Sequence, residues 1–260
     1  MSLYMKYVSI LLKSQMQYRA SFWLLTLGQC LTPLTVFAGV YFMFARFGQL
    51  KGWDFFEVTL LFAVVGMAYS LSECFSRGFD SFSSLVAGGG FDRLLVRPRN
   101  TVLQVLGSRF EFNRVGRLLQ SAIILVWALY HLPVEWSAMK ALTLLFMIAG
   151  GIGIFSGIFI LTATLCFWTV QGLEIANILT DGGREMAQYP LNIYRRGVTV
   201  FFTFVIPFGC VSYLPLQYIL DRVQGSALLY MLMPLAGILF LVPCLLVWHI
   251  GVRHYRSTGS

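Results

Sequence analysis

The sequence predicts an all-helical, polytopic membrane protein with six spanning helices. Three observations predict it. Hydrophobic residues make up 58% of the 260-residue chain and charged residues only 12%, with a mean hydropathy of +0.74. An average soluble domain carries about 25% charged residues, and a chain this apolar cannot cover a soluble surface. Apolar runs of the length that crosses a bilayer as a helix recur along the chain. Lys and Arg gather in alternate connections between those runs, the pattern that orients helices in a membrane. The net charge of +8 is therefore dispersed rather than set on one basic face, which argues against nucleic acid as a partner.

The elements follow in order along a single transmembrane domain, 1–260. Residues 1–20 are the first. Leu3, Tyr7, Ile10, Leu11 and Tyr18 fall at helical spacing, and Lys6 and Lys13 share another face. This spacing predicts an amphipathic helix lying on the inner leaflet. The first span covers 22–45 and holds Pro33 and Gly39. It is too long for a signal-peptide core and no small-residue cleavage site follows, so it reads as a retained span. The others are 56–76, 117–133, 139–169, 198–220 and 227–250. A long polar loop, 77–116, separates the second from the third.

The run 198–220 carries Pro207, Gly209 and Pro215. Three breakers in so short a stretch point to a broken fifth span that turns into a re-entrant segment on the outer side, or to a kinked helix. The fourth run carries Ala149, Gly153 and Gly157, two consecutive small-x-x-x-small steps. Such steps let two helices approach closely, within the bundle or across a dimer seam.

With the N-terminus inside, fifteen of the 19 Lys and Arg residues fall in inner segments and four in outer ones. The inner set includes Arg184, Arg195 and Arg196. This split predicts that both termini are cytoplasmic. The connection 171–197, QGLEIANILTDGGREMAQYPLNIYRRG, is then cytoplasmic too, as a linker or a minor partner contact.

Several chemistries have no motif here. The five cysteines, Cys30, Cys74, Cys166, Cys210 and Cys244, lie in or beside apolar runs without a C-x-x-C pair and read as small buried hydrophobes. There is no H-E-x-x-H, no G-x-S-x-G and no G-x-x-x-x-G-K-[ST]. The chain is not expected to be an enzyme on its own, nor to bind a metal or cofactor. Glu73 is the strongest ionisable candidate inside a span, with Arg77 four residues on at the spacing of a helical ion pair. Glu57 and Glu174 read as boundary residues.

The segment 88–100, GGGFDRLLVRPRN, is polar and glycine-led between two apolar runs. Phe91, Leu94 and Leu95 share one face of a short helix, and Arg93 and Arg97 the other. Asp92 lies in the first turn, where a carboxylate suits the helix dipole, and Pro98 ends the helix. A two-turn helix is unstable alone in water, so its apolar face needs a groove.

This segment resembles the cytoplasmic coupling segment of permease subunits of type-2 ABC transporters. The shared pattern is Gly90, Asp92, Leu94, Leu95 and Pro98. The wider stretch is similar to a bacterial branch of exporter permeases that includes viologen-exporter-like systems. The resemblance implies a transport subunit of the cell's inner membrane. It implies two separate ATP-binding subunits, which would hold ATP and Mg, and a second permease, identical or a sister chain. The Gly90–Pro98 segment, Phe91 and Arg93 included, would dock on the ATPase. Substrate would pass between two permeases, outward. A proton-coupled secondary carrier using Glu73 is the alternative. It predicts inverted repeats, and the two halves show no convincing match.

Overall fold

Helix α1 (Leu3–Gln15) and helix α2 (Arg19–Phe47) meet at a tight turn, Met16–Tyr18, where Tyr18 leaves helical geometry at φ −107° and ψ 69°. The break separates an amphipathic helix from an apolar one. The computed structural model of the chain describes residues 3–169, 178–223 and 225–255. Among these the structure is helical, with no sheet beyond one isolated bridge, Leu50 to Trp53.

α2 is a 29-residue helix with Pro33 in its interior, and only Thr26, Val40 and Phe44 are buried. Trp23, Leu24, Leu27, Leu31 and Phe42 point away from the protein. That apolar outer face suits lipid rather than water, because lipid tails are as apolar as leucine.

α3 (Phe55–Asp80) is the central helix, buried along most of its length between α7 (Val115–His131) and α8 (Ala138–Leu165). Its first turn is tied by the Asp54 backbone N–H, which donates to Glu57 Oε2 at 3.1 Å. α7 has 17 residues, about 25 Å of helix. It runs the length of the bundle, from Arg117 beside Glu73 to His131 stacked on Phe56 at 4.7 Å. The end carrying the 77–116 loop is called the loop end below; the other, with residues 48–54 and 132–137, is the far end. The last helical run comprises α13 (Ala227–Leu232), α14 (Leu235–Leu239) and α15 (Leu241–His254). It reaches the loop end, where Trp248 Nε1 donates to Thr101 Oγ1 at 3.2 Å.

Among the described residues four helical stretches are long and apolar enough to cross a membrane: Met5–Phe47, Phe55–Ala87, Ala138–Leu165 and Leu235–His254. The all-helical, polytopic membrane class expected from the sequence is thus borne out, with four of the six expected spans matched by these stretches. All five thiols are free.

The run 198–220 requires a correction. It forms α10 (Arg196–Val200), a π-helical turn (Phe201–Val205), α11 (Phe208–Val211) and α12 (Tyr213–Ile219), with the two arms bent by 77° at Ile206–Pro207. Both outer ends of this pair lie at the far end. On one side Trp53 Nε1 donates to Asn192 Oδ1 at 3.0 Å, and Lys51 Nζ to the Ile193 carbonyl at 3.2 Å. On the other, Arg222 holds Glu57 through two bonds of 3.1 and 2.6 Å, and Lys140 Nζ donates to Asp221 Oδ2 at 2.6 Å. The run therefore enters the bundle and returns as a hairpin rather than crossing. Its tip, Phe208, packs on Phe155 with ring centres 5.2 Å apart and lies against Gly183.

Pro207 sets the break, because it lacks an N–H and disfavours a helical residue before it. Gly209 sits against Thr203 and Leu191. Pro215 lies in the first turn of α12, where proline is tolerated. The irregular backbone at Ile206–Pro207 is shielded by protein, the condition for such backbone at membrane depth.

The connection 171–197 is corrected with it. Residues 178–193 run from the level of Tyr69, whose hydroxyl donates to Asp181 Oδ1 at 3.1 Å, up to the far end. They include α9 (Gly183–Ala187), in which Gly183 and Ala187 are buried. Arg184 thus lies inside the bundle, and Arg195 and Arg196 lie at the far end. Among the described residues eleven Lys and Arg gather at the loop end against six at the far end, so the charge asymmetry keeps its sense. Glu174 lies outside the described residues.

Candidate functional site

The segment expected to couple, 88–100, is built on a scaffold of three short helices: α4 (Phe82–Ala87), α5 (Gly90–Leu95) and α6 (Thr101–Leu106). Gly89 precedes α5 with φ +63°, a left-handed conformation that glycine adopts without strain. The Gln104 amide then ties α6 back to α5, donating to the carbonyls of Leu94 and Arg99, each at 3.1 Å.

The expected docking face does not survive intact. Phe91 is fully buried. Its ring meets Phe82 at 4.9 Å, Tyr255 at 5.0 Å and Phe167 at 5.6 Å. Leu94 is half-buried against the same core. A six-residue helix has no apolar core of its own, so one face must be spent on the body of the protein. Phe91 is that anchor. Asp92 is engaged as well: burial first and this carboxylate second push the Tyr255 phenol above its ordinary pKa. What remains outward is Leu95, Val96 (85% exposed), Arg93, Arg97, Pro98 and Arg99. Val96 was not singled out from the sequence, because it follows the helix and lies off its periodic face.

Phe91→Ala is expected to remove about 3–5 kcal/mol of stability by leaving a cavity beneath α5. The thermal midpoint of the purified protein checks this.

Beside this scaffold lies a charged cluster. Glu73 is 2% exposed. Arg117 Nη1 donates to its Oε2 at 2.8 Å and Arg77 Nη1 to its Oε1 at 3.2 Å, with Arg114 Nη2 3.6 Å from Oε1. Glu111 forms a second node, accepting from Arg114 Nε at 2.9 Å with Arg109 at 3.1 Å. Arg114 Nη1 also donates to Gln29 Oε1 at 2.8 Å. The cluster joins α2, α3, α7 and the loop. Sequence spacing identified the Glu73–Arg77 pair. Arg114 and Arg117 gave a signal only as two arginines one helical turn apart at the start of a span.

The glycine stripe resolves to a contact inside the bundle. A methyl on Gly153 would overlap the Gly237 carbonyl, and one on Gly150 the Pro234 carbonyl. Gly157 faces Phe240 and Cys244. The close approach therefore joins α8 to the α14–α15 run and uses Gly150, Gly153 and Gly157. Ala149 is half-buried beside the stripe rather than on it.

Among the described residues no group of His, Cys, Asp and Glu is arranged to hold a metal ion. No curated protein and no solved structure matches the chain. A family model described as ABC-2 family transporter protein matches residues 30–259. That match runs from the middle of α2 through the 88–100 segment, the hairpin and the last helix, and the chain belongs to the ABC-2 family of transporter proteins.

Proposed function

We propose that the chain is the permease subunit of an ATP-driven exporter in the inner membrane, with both termini cytoplasmic. Six crossings satisfy this orientation, with residues 178–190 as the described part of the fifth. ATP and Mg bind on two separate subunits, and none binds here. A second permease, the same chain or a sister, completes the pathway. The observation that carries the reading is the outward surface of Leu95, Val96, Arg93, Arg97 and Arg99 on a buried Phe91 anchor. An exposed aliphatic pair ringed by arginines fits a groove with an acidic rim.

A second permease has its own support. Asp181 and Glu185 are 53% and 63% exposed on residues that line the bundle near Tyr69. Exposed carboxylates at that depth require water or protein beside them rather than lipid. A cavity between two permeases supplies both. The carrier reading is weaker, since both oxygens of Glu73 are engaged by arginines.

The test is Leu95→Asp with Val96→Asp. Both positions are exposed, so the permease is expected to keep its thermal midpoint while the ATP-binding subunit no longer copurifies. Retention of that subunit at full stoichiometry would remove the assignment.

A further inference from the structure

A pocket of about 70 Å³ lies in the middle of the bundle among α2, α3, α7 and α9, away from the coupling surface. A space of that size holds a small ionised head group. Two guanidiniums line it, those of Arg117 and Arg184. Each has a buried Nε without a hydrogen-bond acceptor. They are near enough to repel one another.

Their other bonds explain why the spare donors remain. Arg117 spends Nη1 on Glu73. Arg184 lies over the Tyr69 ring at 4.9 Å and reaches only distant carboxylates, Asp181 at 3.8 Å and Glu185 at 3.6 Å. Among the described residues no carboxylate lines the pocket. Two cations sharing a small space with unspent donors are neutralised and satisfied together by one oxyanion.

The mouth says what carries that oxyanion. Thr32 and Val36 on α2 form it, and both are exposed on the outer face of the bundle. A tail leaving through this mouth meets the apolar outer face of α2 and stays out of water.

We propose that this pocket binds the oxyanion head, phosphate or carboxylate, of an amphiphile in transit. The proposal rests on the transport reading, because a charged head is at this depth only while crossing. It names an anionic amphiphile as the substrate class.

The experiment measures binding to the full chain in neutral nanodiscs, without an ATPase. The probes are dodecyl phosphate, dodecanoate, lysophosphatidylglycerol, inorganic phosphate and dodecyltrimethylammonium. The anionic amphiphiles are expected to bind and the cationic one not to. Arg184→Gln, whose carboxylate partners are more than half exposed, should weaken anion binding roughly ten-fold, as loss of a charge-assisted bond does. Val36→Asn, which puts a polar amide in the tail's exit path, should weaken the amphiphiles and spare inorganic phosphate. Tighter binding of lysophosphatidylglycerol than of the dodecyl compounds would identify a lipid as the source. Equal binding of inorganic phosphate would identify a free anion and overturn the amphiphile. Binding of the cationic probe, or unchanged affinity in both variants, would overturn the site. Because no ATPase is present, failure here leaves the coupling assignment standing, and failure of coupling leaves this result standing.

Discussion

Glu73→Ala is expected to cost about 3–5 kcal/mol and to lower sharply the yield of folded protein. The reason is what it leaves behind. Arg77, Arg114 and Arg117 converge on one buried carboxylate. Without it three guanidiniums share a low-dielectric site with too little negative charge, and breaking a buried pair from one side is worth that much. Glu73→Gln should fall between, since the amide keeps an acceptor and loses the charge. Glu73→Gln with Arg117→Gln should recover part of the loss, because the two residues interact directly and their effects are not additive. Thermal midpoints in detergent would show the order. An Ala variant as stable as the parent would mean that the cluster is not a structural tie, and would revive the carrier reading.

Gly153→Leu is expected to be as severe for a different reason. The added side chain has nowhere to go, because even a methyl overlaps the Gly237 backbone. The helices must separate along α8 and the α14–α15 run. The loss should be at least about 3 kcal/mol, at the upper end for overpacking. Gly39→Leu on α2 is the control: a side chain there meets nothing within 4 Å, and little change is expected. If the two variants melted together, the seam would not be the close contact described.

Most of the architecture was legible because membrane helices announce themselves. Composition and run length gave the helical class, and helical spacing gave the amphipathic α1 and the short helix at Gly90–Leu95. The 198–220 run misled for a definite reason. Hydropathy reports that a segment is buried in an apolar setting, and a protein-shielded hairpin satisfies that as well as a crossing does. The contacts that fix its ends, Trp53 with Asn192 and Glu57 with Arg222, join residues more than a hundred positions apart. Local spacing cannot reveal them. The same holds for Arg184, whose charge hid a residue inside the bundle. Phe91 failed in the opposite way. The expected face of Phe91, Leu94 and Leu95 divides, with Phe91 and Leu94 turned to the core and Leu95 outward. Only the packing of Phe82, Phe167 and Tyr255 shows which residue does which.

A permease of this family is expected to work with a separate ATP-binding chain. The most direct measurement is purification of the chain from its native membranes in mild detergent, with mass spectrometry and an ATP hydrolysis assay on the product. The expected result is a stoichiometric P-loop protein, ATP turnover, and a band composition that shows whether the second permease is identical or a sister. A chain recovered without a nucleotide-binding partner, and without ATP turnover, would contradict it.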